Sequence, residues 1–220
     1  MTIIQPVLTI EHIDEIKEYI NQYRLKNQAA PLEWDNTIYI FAQKWSSYMT
    51  KNNVFKHSGS YLYGENIAYF RGYGTDIMVL IKLAIDNWYN EISLYNFNKP
   101  GFSEATGHFT CLVWQASKTF GMGITMNDST NEAYISFNSS PPGNIIGQFQ
   151  QNVLPLSYLP TPTPVPTPVP RPTPTPTNNK QLIIFHLQKV INEININYKK
   201  LYIIRDINNI INEIQMSSPF

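Results

Sequence analysis

The sequence predicts an α+β fold: three helical segments come first, three short β-rich runs follow, and the chain then changes character altogether. Over residues 9–25, Ile13, Ile16, Ile20 and Tyr23 recur at intervals of three and four, which is one face of a helix. Asp35 is a fitting N-cap for a second helix carrying Ile38, Phe41, Trp45 and Tyr48. Thr75 or Asp76 caps a third, with Ile77, Leu80, Ala84 and Trp88 on its buried side. Residues 109–114, 120–125 and 133–137 are then rich in β-formers, and Asn127-Asp-Ser with Asn131 marks a turn between the last two runs. Helices followed by strands suggest an antiparallel sheet covered by helices.

The chain divides into three parts, at 1–158, 159–179 and 180–220. From Pro160 to Pro176 proline occupies every second position. Proline fixes φ and removes the backbone donor, so this stretch forms neither helix nor ladder. It reads as a polyproline II spacer about 50 Å long, with docking to an SH3-like or WW-like domain as the alternative. Beyond it, Leu187, Val190, Ile194, Leu201, Ile204, Ile207, Ile211 and Ile214 follow helical spacing, with Asn197 interrupting the seam. Such a stripe has to be buried. A homo-oligomeric coiled coil fits, with Asn197 setting register. Docking onto the first domain and peripheral membrane contact are the other readings.

Composition limits the function classes. Lys+Arg 16 against Asp+Glu 16 leaves no net charge, which argues against non-specific nucleic-acid binding. The single cysteine, Cys111, allows no intramolecular disulfide, and the first residues lack the basic and apolar regions of a secretory signal. Both favour an intracellular over a secreted setting. No apolar run approaches the roughly 20 residues of a transmembrane segment.

Four residues stand out as chemistry-bearing. His57 precedes a tyrosine-rich loop, Glu65 follows a glycine at a loop-to-element junction, Glu91 sits on the third helix, and His108 lies at the entry to the first predicted strand. Two imidazoles and two carboxylates suit zinc or another divalent cation. They equally suit a network in which each Glu orients a His. Spacing alone does not assemble them, because no two share a short metal motif.

The stretch Thr106-Gly-His-Phe-Thr-Cys-Leu-Val-Trp-Gln-Ala-Ser117 resembles the first signature motif of the CAP superfamily. That group comprises the cysteine-rich secretory proteins, insect venom antigens and plant pathogenesis-related proteins. Asn21-Gln-Tyr-Arg24, Ala30-Pro-Leu-Glu-Trp-Asp35, Gly64-Glu-Asn66 and Trp88-Tyr-Asn-Glu91 match further motifs in the family's order. Pro142-Gly-Asn-Ile145, Phe149 and Asn152-Val-Leu-Pro155 are similar to the Golgi-associated, disulfide-poor branch. Three features depart from the pattern: Cys111 replaces a usual glutamine, Ile20 a usual histidine, and Asn138-Ser-Ser140 the second signature, which implies a reshaped loop beside the sheet.

The resemblance implies a three-layer α-β-α sandwich with His57, Glu65, Glu91 and His108 as its cleft tetrad. It also implies zinc or another divalent cation there, and a sterol or fatty acid in an apolar cleft nearby. A non-catalytic binding module, displayed on an oligomerising stalk, needs no further group. The alternative is a metal-dependent hydrolase with Glu65 or Glu91 as general base. Cys111, on a strand three residues beyond His108, is expected to be a buried core thiol facing away from that ring.

Overall fold

Capping chemistry sets where the helices begin. Helix α1 (Ile10–Lys26) starts at Thr9, whose hydroxyl accepts from the His12 amide while His12 Nδ1 accepts from the Thr9 amide. This is a capping box with histidine in place of the usual Glu or Gln. Helix α2 (Asn36–Asn52) is capped by Asp35, which accepts from the amides of Thr37 and Ile38, and ends in the left-handed Asn53. Helix α3 (Ile77–Asn90) starts at Asp76, not Thr75: the Asp76 carboxylate accepts from Met78 and Val79. The computed structural model describes residues 2–157; the proline repeat and the C-terminal helical stretch read from the sequence lie outside the described residues.

The centre is a five-stranded sheet. Its long strands are β3 (Gly64–Arg71), β4 (Thr119–Asn127) and β5 (Glu132–Ser140), with two-residue strands β1 (Ile3–Ile4) and β2 (Glu33–Trp34) on β4. The order is β1-β4-β5-β3, antiparallel throughout, and β2 pairs with the start of β4 in parallel.

Helices cover both faces. On one, α2 presses its backbone against Gly121 and Gly123, where a side chain would collide with Tyr39 and Gln43. On the other, Phe120 and Phe137 stack at 5.8 Å and Trp88 of α3 meets Phe137 at 6.0 Å. Interior positions of β4 and β5 are accordingly buried without alternation.

Two expectations are corrected. Residues 109–114 are not a strand: helix α4 (Gly107–Leu112) takes them, and His108 lies in its first turn. Six residues rich in β-formers make a poor helix on propensity. The reason they are helical is electrostatic and tertiary. Glu91 accepts from the amides of His108 and Phe109 at one end, and Arg24 donates to the Leu112 carbonyl at the other. Opposite charges thus sit at the two ends of the helix dipole. The second correction concerns Asn138-Ser-Ser140, which is no loop but the last part of β5.

Candidate functional site

Glu65 is the second residue of β3, and its side chain is only 8% exposed. His57 lies in the segment between α2 and β3, 60% exposed, with Nδ1 2.8 Å from Glu65 Oε1. The Ser58 amide donates to the same oxygen at 2.8 Å, and Asn138 Nδ2, opposite Glu65 on β5, lies 3.5 Å from Oε2.

Glu91 is not within the third helix but caps it, opening a 3-10 turn over Glu91–Leu94. Its Oε1 lies 2.7 Å from His108 Nδ1, and its Oε2 accepts from the amides of His108 and Phe109 at 3.0 and 3.1 Å. The His108 ring is stacked on Trp88 at 6.2 Å.

The four residues therefore form two pairs of one kind: a carboxylate fixed by one backbone amide (Glu65) or two (Glu91) holds the Nδ1 of an imidazole. Asn66 links them, since it follows Glu65 in β3 and its Nδ2 donates to the His108 carbonyl at 2.9 Å. Among the described residues, no three His, Cys, Asp or Glu side chains gather into a cluster that would hold a metal. With Nδ1 of each ring taken by a carboxylate, Nε2 is the nitrogen each histidine offers to a ligand.

The His57–Glu65 pair shifts both groups. The hydrogen bond that His57 donates to Glu65, and secondarily the charge of Glu65, holds His57 above the usual histidine range despite some desolvation. Burial pushes Glu65 up, but the hydrogen bonds from His57 and Ser58 outweigh it and hold the carboxyl below the usual range. A raised histidine stabilises below its ordinary value and loses that contribution as pH rises through the folded one. A lowered carboxylate does the reverse, losing its contribution as pH falls. The pair therefore stabilises most between about pH 4.5 and 6.5, the ordinary values of the two groups. In an NMR titration of the histidine Cε1 protons, His57 is expected to titrate above an ordinary histidine and to return to the ordinary range in Glu65→Gln. A His57 midpoint indifferent to that change contradicts the pairing.

Sequence reasoning missed the supporting shell. Asn66 and Asn138 flank Glu65, and the signal for Asn66 was its place beside Glu65 in the Gly64-Glu-Asn66 motif. Cys111 is 1% exposed, and burial pushes its thiol up to about 12, consistent with an inert core role. It lies on α4, not on a strand as expected. The Ser58 hydroxyl accepts from the Ser60 amide, a loop-forming contact.

A helix-covered sheet carrying two carboxylate-held imidazoles beside its edge strand is the class of domain that fold and site define. Residues 17–139 match the cysteine-rich secretory protein family, CAP, and the chain belongs to it. PRY2 of Saccharomyces cerevisiae is 37% identical over 143 residues, covering 64% of this chain and 40% of that protein. Golgi-associated plant pathogenesis-related protein 1 of Homo sapiens is 34% identical over 147 residues, covering 64% and 92%. Among solved structures, NaASP2 with Zn2+ superposes with a TM-score of 0.54 at 20% identity, over 68% of this chain and 88% of that one. Hookworm Platelet Inhibitor does so with 0.51 at 15%, over 68% and 79%. At these identities the likeness is one of fold.

Proposed function

We propose that the CAP domain is a binding module whose cleft takes a divalent cation, zinc or a similar ion, through Nε2 of His57 and His108. The observation that carries this is the wiring the two pairs share, a carboxylate that accepts from backbone and meets an imidazole at Nδ1. Metal-bound histidines characteristically give their second ring nitrogen to a carboxylate, which fixes the tautomer and raises ligand basicity. Glu65 and Glu91 fit that supporting role better than direct ligation, because Glu65 also accepts one backbone amide and Glu91 two. A neighbour in fold, NaASP2, was solved with Zn2+.

Leu94 ends the 3-10 turn that Glu91 opens, and the Phe102 ring lies against Gly107, next to His108; they are 67% and 53% exposed, an apolar margin suited to a sterol or fatty acid. Display of the domain as a homo-oligomer through residues 180–220 belongs to the same reading. The hydrolase alternative asks Glu65 or Glu91 to act as a general base. A carboxylate already committed to an imidazole and to amides is poorly placed to accept a proton from water.

Isothermal titration of zinc into the full chain tests the cation reading. The double variant His57→Ala, His108→Ala is expected to abolish uptake, and Glu65→Gln or Glu91→Gln to weaken it by about 10- to 100-fold. Uptake unchanged in the double variant removes the claim.

A further inference from the structure

A second surface lies on the far side of α2 from the sheet. The helix turns Ile38, Ala42, Ser46 and Met49 inward. About 200° round the helix wheel, Ile40, Lys44, Tyr48 and Lys51 form an outer stripe at helical spacing. Ile40 is 51% and Tyr48 42% exposed. Two shallow hollows of about 560 and 510 Å³ flank this stripe, and Lys44 and Tyr48 line both. The second hollow is closed by Ser58, Gly59 and Ser60, so the loop after α2 joins the same surface. In that loop Tyr61 and Leu62 stand out of the protein, 96% and 71% exposed.

The charge of this surface is one-sided. The chain as a whole balances its acids and bases, yet from Asn36 to Gly64 it contains Lys44, Lys51 and Lys56 and no Asp or Glu. None of the three lysines joins an ion pair among the described residues. Aromatic rings are interleaved with them: Trp45 stacks on Tyr48 at 4.9 Å, and Lys56 Nζ sits 5.8 Å over the Tyr48 ring.

We propose that this face docks on an anionic lipid bilayer. Lysines on flexible stems reach phosphate headgroups while their methylenes lie on apolar surface. Tryptophan and tyrosine favour the headgroup level, where one end of the ring is wet and the other apolar. Tyr61 and Leu62 project from the surface and reach the acyl boundary, as the apolar side chains of an interfacial element do. A stretch with three lysines and no acid between Asn36 and Gly64 complements a negative surface and is repelled by a cationic one. The surface adjoins the cation cleft at Ser58, whose amide donates to Glu65, but the assignment does not depend on a cation there.

Flotation of the full chain with phosphatidylcholine vesicles, made with and without phosphatidylserine, tests the assignment. Binding is expected only to the phosphatidylserine vesicles, weakening as salt is raised. The variant Lys44→Gln, Lys51→Gln, Lys56→Gln is expected to lower that binding by more than tenfold. The variant Tyr61→Ser, Leu62→Ser is expected to lower it at unchanged lysine content. All five positions are exposed, so thermal melts of both variants should match the wild type. Equal binding to the two kinds of vesicle, or undiminished binding by the lysine variant, overturns the assignment.

Discussion

Arg24→Ala is expected to destabilise the domain by about 3–5 kcal/mol in chemical denaturation. Arg24 is fully buried, and its guanidinium takes up four carbonyls: Ala30 at 2.8 Å, Leu112 at 2.9 Å, Trp114 at 3.0 Å and Ser117 at 3.2 Å. Burial pulls it down to about 10, so it is charged at neutral pH. The four acceptors belong to the last residue of α4 and to residues that follow α1 and α4, where carbonyls have no helical partners. Alanine leaves these oxygens buried and unpaired, opens a cavity, and removes the positive charge from the C-terminal end of α4. Because His108 lies in α4, the loss reaches the site as well. Arg24→Lys is expected to recover little, since one ammonium cannot span acceptors matched to a planar fork. If Arg24→Lys is as stable as the wild type, the forked geometry carries less than assigned to it.

Gly123→Ala is expected to cost more than about 3 kcal/mol, at or beyond the upper end of overpacking effects. A Cβ at Gly123 would lie 2.4 Å from the Gln43 amide nitrogen and Cα and 2.6 Å from the Ala42 carbonyl carbon. These are backbone atoms, so the whole of α2 has to move about 1 Å off the sheet to restore ordinary contact. Gln43 would move with it, breaking its bonds to the Ile124 amide and carbonyl. Gly101→Ala is the control: no atom lies within 4 Å of its added Cβ, and the change is expected to fall within about 0.5 kcal/mol. Equal midpoints for the two variants in urea unfolding would contradict the close approach of α2.

These two positions also show where the sequence was readable. Asp35 and Asp76 announce their helices because capping is local: an acidic oxygen and the amides it serves lie within three residues. The runs at 120–125 and 133–137 are strands for the same kind of reason, their β-formers bounded by a turn at Asn131, φ 53°. Residues 109–114 misled because their helix is imposed from a distance. Glu91 acts from 17 residues away and Arg24 from 88, and no window of sequence contains both. Strand β3 escaped because Glu65 and Asn66 put polar groups inside it, masking the β pattern that Ile67, Ala68 and Phe70 complete. Gly123 looked like any glycine in a strand until α2 lay across it.

The candidate site was legible only as four residue types and a family resemblance. Pairing was not: that His57 belongs to Glu65 and His108 to Glu91 follows from the ends of β3, α3 and α4, not from spacing. Nor did the sequence reveal that the carboxylates take Nδ1 and backbone amides, which turns a set of four potential ligands into two oriented imidazoles.

The most direct test of the cleft is a crystal of the full chain grown with zinc and measured at the zinc absorption edge. An anomalous peak is expected about 2.0–2.1 Å from Nε2 of both His57 and His108, with Glu65 and Glu91 still on Nδ1. A peak bonded to either carboxylate with its histidine turned away, or no peak at these rings in a zinc-containing crystal, would contradict the proposed cation cleft.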